Sequence, residues 1–131
     1  MDRWRRHGQR KTLTLRQDQA NKAVMKRYDI RWAQLDPTRG SEMAKTRPVV
    51  IVSRDELIPH VETITICPLT SRIHPGWRSR VPIHCAGQPA EIAVDQIRTI
   101  SKSRLGEKLG RLNPLEAEML RRTIAEMYAE E

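Results

Sequence analysis

The side chains best suited to chemistry in this sequence are Glu42, Arg47, Thr70 and Asp95. Arg47 comes just before Pro48 and the run Val49-Val50-Ile51-Val52, four β-branched residues that suit a strand packed on both faces. Proline has no N–H to give a ladder and is tolerated where a strand begins, so Arg47 is predicted at the mouth of that strand. A guanidinium held on a rigid element is a good grip for a phosphate or a carboxylate, because its planar fork donates parallel hydrogen bonds. The spacing fits a surface ion pair with Glu42 or Asp36 equally well. Val61 to Cys67 alternates as a second strand, and Pro68 is predicted to stop it. Leu69, Thr70 and Ser71 would then sit at a strand end. There a threonine hydroxyl either meets a ligand or, more commonly, bonds its own backbone.

Downstream, the stretch from Ser71 to Arg80 holds Arg72, His74, Trp77, Arg78 and Arg80. Cations interleaved with a flat ring suit single-stranded RNA, where arginines meet phosphates and the ring stacks on an unpaired base. Trp77 would serve equally well covering a core edge or a subunit contact. Other chemistries lack their residues. The sequence has no internal repeat, phosphate-binding glycine loop or nucleophile elbow, and His7, His60, His74 and His84 show no metal-ligand spacing with one another or with the cysteines. Cys67 and Cys85, on separate predicted strands, are expected as small buried hydrophobes rather than a disulfide.

The elements that must hold these residues follow from pattern. Ile30 to Leu35 alternates as a strand closed by the Asp36-Pro37-Thr38 turn, with Trp32 facing the core. Arg80 to Cys85 and Ala90 to Ile97 are predicted strands joined by a turn at Ala86-Gly87-Gln88-Pro89. Ser101 to Leu112 is ambiguous, since Gly106 and Gly110 argue against a long helix while Leu105 and Leu109 argue for one. Asn113-Pro114-Leu115-Glu116 is a helix start, with Asn as N-cap, Pro at the first helical position and Glu at the third. Leu115, Met119, Leu120, Ile124, Met127 and Tyr128 are predicted to form its apolar face.

At 131 residues the chain is the size of one domain, and with no phenylalanine its core must be built from Val, Ile, Leu and Met. No apolar run approaches a membrane span or a secretory signal, so a cytoplasmic protein is expected. The net charge of +8 is unevenly placed. Residues 1–27 carry nine Lys or Arg against Asp2 and Asp18, a net +7, and the rest of the chain is nearly neutral. Residues 1–24 are therefore read as a basic N-terminal extension, either a nucleic-acid-binding arm or a leader without function, and 25–131 as the domain.

Three blocks in order resemble the MazF/PemK-like toxin family of type II toxin–antitoxin pairs. They are Asp29-Ile30-Arg31-Trp32 with Leu35-Asp36-Pro37-Thr38, Gly40-Ser41-Glu42 and Arg47 to Ser53; Cys67-Pro68-Leu69-Thr70-Ser71; and Asp95 to Ile100 with Ser103-Arg104-Leu105. The resemblance implies an α+β fold, a twisted, mostly antiparallel sheet curled into a small SH3-like barrel with a C-terminal helix packed on it. Within Ser101 to Leu112 it implies a short turn and then a strand. It implies a metal-independent, cofactor-free endoribonuclease that cuts single-stranded mRNA at a short sequence, an mRNA interferase. The RNA's own 2′-OH attacks, leaving a 2′,3′-cyclic phosphate and a 5′-OH. Arg47 matches the arginine credited with acid–base work and phosphate stabilisation, Thr70 the residue that steadies the phosphate, and Glu42 the loop glutamate. Because a guanidinium with a pKa above about 12 is a poor base, charge stabilisation is the safer role for Arg47. RNA contacts are expected from Ser41, Lys45, Ser71, Arg72, Trp77, Arg78, Arg80, Asp95, Gln96 and Arg98. A homodimer and a cognate MazE-like antitoxin are implied as partners.

The chain departs from the family pattern in places. Tyr28 stands where glycine is usual, which leaves the entry to the first strand less determined. Kid-like members carry an arginine two residues before their acid and a loop histidine, where this chain has Ala93 and Ser41, so Asp95 ranks below Glu42 as a catalyst. Two other readings compete. One is a CcdB-like toxin that binds a protein such as gyrase without cutting RNA, although the end Met127-Tyr128-Ala129-Glu130-Glu131 lacks the tryptophan-bearing tip of such poisons. The other is a small basic RNA-binding barrel without activity.

Overall fold

The computed structural model describes residues 24–35 and 46–130. Among these, seven strands precede one helix: β1 Asp29–Gln34, β2 Thr46–Ile51, β3 Thr63–Thr70, β4 Arg80–Cys85, β5 Gln88–Ala93, β6 Arg98–Ser101, β7 Leu105–Arg111 and α1 Pro114–Tyr128. The strands join in the order β4-β5-β3-β2-β1-β7, with β6 also on β3, and each of these pairings is antiparallel. β3 is the pivot. On one side β2 runs along it from Val49↔Pro68 to Ile51↔Ile66; on the other β6 takes Thr63 to Ile66 and β5 takes Leu69 and Thr70. A twisted strand that serves two ladders on one side curls the sheet, and α1 packs on one of its faces. This is the curled α+β architecture that the resemblance implies.

Alternation along β2 explains the apolar run Val49-Val50-Ile51. Val50 joins the core cluster of Ile30, Cys67, Leu69, Val81, Ile83, Ile92 and the helix residues Ala117 and Leu120, whereas Val49 and Ile51 join Ala33, Ile64, Ile66, Ile100 and Leu105 on the other side. Trp32 is buried, as expected. Cys67 and Cys85 are free and buried in the helix-side cluster. Burial first, and then the charge of Asp95, push the Cys67 thiol up to about 12.

Five expectations need correction. Pro68 does not stop the second strand, because it falls between the last partner of β6 (Ile66) and the first of β5 (Leu69), where a missing N–H costs that edge least. Pro48 is not the start of β2, which begins at Thr46, so Arg47 lies within the strand opposite Ala33. The strand expected over Ala90 to Ile97 runs instead from Gln88 to Ala93 and is followed by a 3-10 turn at Val94–Gln96, so the hairpin turn shrinks to Ala86 and Gly87. Tyr28 keeps a left-handed backbone (φ 74) although it is not glycine. Its N–H donates to Ile51 O at 2.8 Å, its own carbonyl accepts from Leu112, and the Arg121 guanidinium donates to its hydroxyl. Last, α1 does not bury the whole predicted stripe. Ala117 and Leu120 are buried and Met119 and Ile124 pack beside them, but Leu115, Met127 and Tyr128 are exposed.

The ambiguous stretch resolves as the resemblance implies. A 3-10 turn at Lys102–Arg104 leads into β7, which pairs with β1 within the subunit. The helix start is as read: Asn113 Oδ1 accepts from the Glu116 N–H at 2.8 Å and Glu116 Oε1 accepts from the Asn113 N–H at 2.9 Å, a reciprocal cap on the first turn.

Candidate active site

The site lies on the sheet face away from α1. Ala90 and Ile92 of β5 turn into the helix-side cluster, so Glu91 between them must point to the other face, and Thr70 stands directly opposite it. The β2–β3 register, carried two residues beyond Val49↔Pro68, sets Arg47 across from Thr70. Arg47, Thr70 and Glu91 thus form one row across three adjacent strands. Thr70 and Glu91 are buried, and Arg47 is partly open to solvent. Glu42, Ser41 and Lys45 fall outside the described residues, so their expected places at the site are not addressed by the structure.

The loop leaving β3 folds back over the end of this row. Thr70 Oγ1 accepts from the Arg72 N–H at 3.1 Å, the local bond expected of a strand-end threonine. The His74 N–H lies 3.1 Å from both carboxylate oxygens of Glu91. The His74 and Trp77 rings are stacked with centroids 4.0 Å apart, and the Arg80 guanidinium carbon lies 4.7 Å from the Trp77 ring centre. Arg80 then closes the network, with Nη1 3.5 Å from Glu91 Oε1 and Nε 2.9 Å from Asp95 Oδ1.

That network changes the reading of several residues. Arg80 was expected at the RNA surface, but its side chain is only 6% exposed and engages two carboxylates. Asp95, at the 3-10 turn after β5, is drawn in by Arg80. Partial burial pushes its carboxyl up, but hydrogen bonds from Arg80, Ser79 and the backbone, with the charge of Arg80, outweigh this and hold it below its ordinary 3.8. Trp77 is half-exposed, Arg72 and Arg78 are exposed, and Arg78 reaches Glu126 of α1 at 3.3 Å. Ser71 is buried beside Thr70, and Gln96 is exposed next to Asp95. Arg98 is not gathered in. It stands on β6 opposite Ile66, four positions back along β3 from Thr70, or about 13 Å of strand. Glu91 was missed by the sequence reading, since only the pairing of β5 with β3 shows that it meets Thr70. Among the described residues no three His, Cys, Asp or Glu side chains group as a metal would require.

A curled antiparallel sheet with a terminal helix on one face and an Arg–Thr–Glu row on the other defines a small α+β domain with a charged, hydrogen-bonding site on the face away from the helix. The chain belongs to the family of PemK-like, MazF-like toxins of type II toxin–antitoxin systems, whose model matches residues 26–128. It is 34% identical over 94 residues to a protein of Staphylococcus saprophyticus named endoribonuclease MazF, covering 66% of this chain and 76% of that one. Its structure resembles the Mycobacterium tuberculosis toxin MazF-mt6 with a TM-score of 0.67 at 28% identity, over 79% of this chain and 98% of the other. The MazF of a MazE–MazF complex from Deinococcus radiodurans shares the fold, with a TM-score of 0.67 at 22% identity over 79% and 95% of the two chains.

Proposed function

We propose that this protein is the toxin of a toxin–antitoxin pair, and that it acts as a metal-independent endoribonuclease on single-stranded RNA at a short sequence. The 2′-OH next to the scissile phosphate attacks in line, leaving a 2′,3′-cyclic phosphate and a 5′-OH. Family membership and the relative named endoribonuclease MazF support the RNA-cutting activity. What supports the mechanism is the β2–β3 register, which, extended two residues past Val49↔Pro68, brings Arg47 across from Thr70 on the face away from α1. Charge develops on the phosphoryl oxygens as the fifth bond forms, and a guanidinium fixed on a strand stabilises that charge without having to reorganise. The Thr70 hydroxyl adds a neutral hydrogen bond. Glu42, five residues before Arg47, is the candidate to take the 2′ proton, a step for which a guanidinium is unsuited. Asp95, held ionised by Arg80, acts on the site by orienting the network rather than by exchanging protons.

The expected assembly is a homodimer inhibited by a MazE-like antitoxin, a partner supported by the MazE–MazF complex of the Deinococcus relative. Residues 25–131 form the toxin domain and 1–24 a basic extension, in a cytoplasmic setting. No helix of the described residues is long and apolar enough to cross a membrane. The test is to incubate purified protein with a long RNA in EDTA and map the ends. Cuts at a recurrent short sequence with cyclic phosphate termini are expected, and a substrate with 2′-deoxyribose at the cut site should bind but stay whole. Cleavage of that deoxy substrate would mean that water attacks instead. Binding without cleavage would favour an inactive RNA-binding barrel.

A further inference from the structure

We propose that Glu91, acting with Arg80, is a positioning residue that sets the loop 71–79 against the Arg47–Thr70 row, and thereby determines which bases beside the cut are read. This rests on the endoribonuclease reading of the same site. The loop has little apolar anchorage of its own, since Ile73 is 43% and Trp77 50% exposed. It is fastened by polar groups instead. Its first residues are tied by Arg72 N–H to Thr70 Oγ1, and its middle by His74 N–H to the Glu91 carboxylate. The Trp77 N–H donates to His74 O at 3.2 Å and the Arg80 N–H to Trp77 O at 3.3 Å, which folds the segment into a turn under its own ring pair. The guanidinium of Arg80 joins the two halves, bonded to Glu91 and lying by the Trp77 ring.

Glu91 therefore touches both sides of the site, the row through its pairing with Thr70 and the loop through His74. Stability alone does not account for a charge pair in this place. The Glu91 and Arg80 side chains are 5% and 6% exposed, and a buried pair of this kind is commonly matched or surpassed in stability by apolar residues of similar volume. What an apolar pair would not supply is an acceptor for the His74 N–H and a cation beside Trp77. Those two interactions define where the His74–Trp77 stack and the exposed Arg72 and Arg78 stand relative to the phosphate-binding row. RNA laid across the row meets that stack at a fixed distance, which gives base selection a geometric origin.

The experiment compares the wild type with Glu91→Gln and with the double variant R80M/E91L. It measures thermal midpoint, amide exchange at positions 72–79, KM and kcat on a short RNA, and the ranking of cut sites on a long one. Glu91→Gln keeps the shape but removes the charge, and R80M/E91L removes the pair, leaving only the Asp95 carboxylate, 30% open to solvent, without its cation. The double variant should melt near the wild type, yet exchange at His74 should quicken at least about tenfold and KM should rise by about tenfold with a smaller change in kcat. Cut-site preference should relax in both variants. A double variant with wild-type melting, loop protection, KM and cut pattern would overturn the proposal by showing that the pair only fills space. If the double variant fails to fold, unchanged His74 exchange and cut pattern in Glu91→Met, which removes the acceptor of the His74 N–H but leaves Arg80 bonded to Asp95, overturn it equally. The wild type separates the two levels, because failure to cut any RNA would sink the proposed function while the exchange result still judges the clamp.

Discussion

As proposed partners of a phosphate, Arg47 and Thr70 are not equivalent. The arginine brings a charged fork and the threonine one neutral hydroxyl that already accepts from the Arg72 N–H, so their loss should be felt unequally. Arg47→Ala is expected to lower cleavage by at least about 100-fold, roughly 3 kcal/mol of transition-state stabilisation, with the fold intact. Thr70→Ala should lose less, and single-turnover rates on one defined RNA would rank the two. A folded Arg47→Ala protein with wild-type rates would remove the arginine from the mechanism. Asp95 makes a separate, pH-dependent prediction. Its folded carboxyl lies below the unfolded value of about 3.9, so it adds stability above that pH, and the contribution is lost as pH falls through the lower folded value. Asp95→Asn should thus melt slightly below the wild type at neutral pH and converge with it in acid. The difference stays small because the side chain is 30% open to solvent, where screening weakens the Arg80 pair. A gap that widened toward acid would reverse the assignment.

The hairpin of β4 and β5 carries a prediction of its own. Cys85 pairs with Gln88, leaving Ala86 (φ 53) and Gly87 (φ 78) as the two turn residues, both left-handed as a type I′ turn requires. Alanine at such a position costs about 1 kcal/mol that asparagine largely avoids. Ala86→Asn, which creates the favoured Asn-Gly pair, should raise stability by about 0.5–1 kcal/mol and the melting midpoint by a few degrees, measured by calorimetry. An unchanged midpoint would mean the strain is relieved elsewhere. Signals confined to a few neighbouring residues were legible in the sequence. The Asn113–Glu116 cap, the bounds of β4 and the two-faced burial of β2 all follow from local chemistry and period. Features set by a distant partner were not. Pro68 survives in β3 because β5 and β6 leave a gap there, and the small Ala117 is buried while the larger Leu115 is exposed. The same limit applied at the site. Arg47 and Thr70 could be singled out from their strands, but Glu91 and the inward turn of Arg80 depend on β5 lying between β3 and β4.

Across the whole molecule the charge is divided unevenly between the N-terminal extension and the domain. Residues 1–24 carry Arg3, Arg5, Arg6, Arg10, Lys11, Arg16 and Lys22 against Asp2 and Asp18, a net +5, whereas every residue assigned to chemistry lies beyond Met25. The family match likewise begins at residue 26. Cations bound to phosphates raise affinity by releasing counterions, an effect that is independent of sequence and strongly dependent on salt. Base reading comes from other groups. If the extension binds RNA, removing residues 1–24 should weaken binding at low salt and flatten the dependence of log affinity on log salt by about 0.7 for each phosphate of the single strand that is no longer neutralised. The recognised sequence and the rate at saturating RNA should stay as they are. Titrations of an uncleavable deoxy-substituted RNA at several salt concentrations, with and without the extension, would measure this. An unchanged slope would make the extension a bystander, and a shifted cut sequence would show that it reads bases, for which Trp4 is its only aromatic residue.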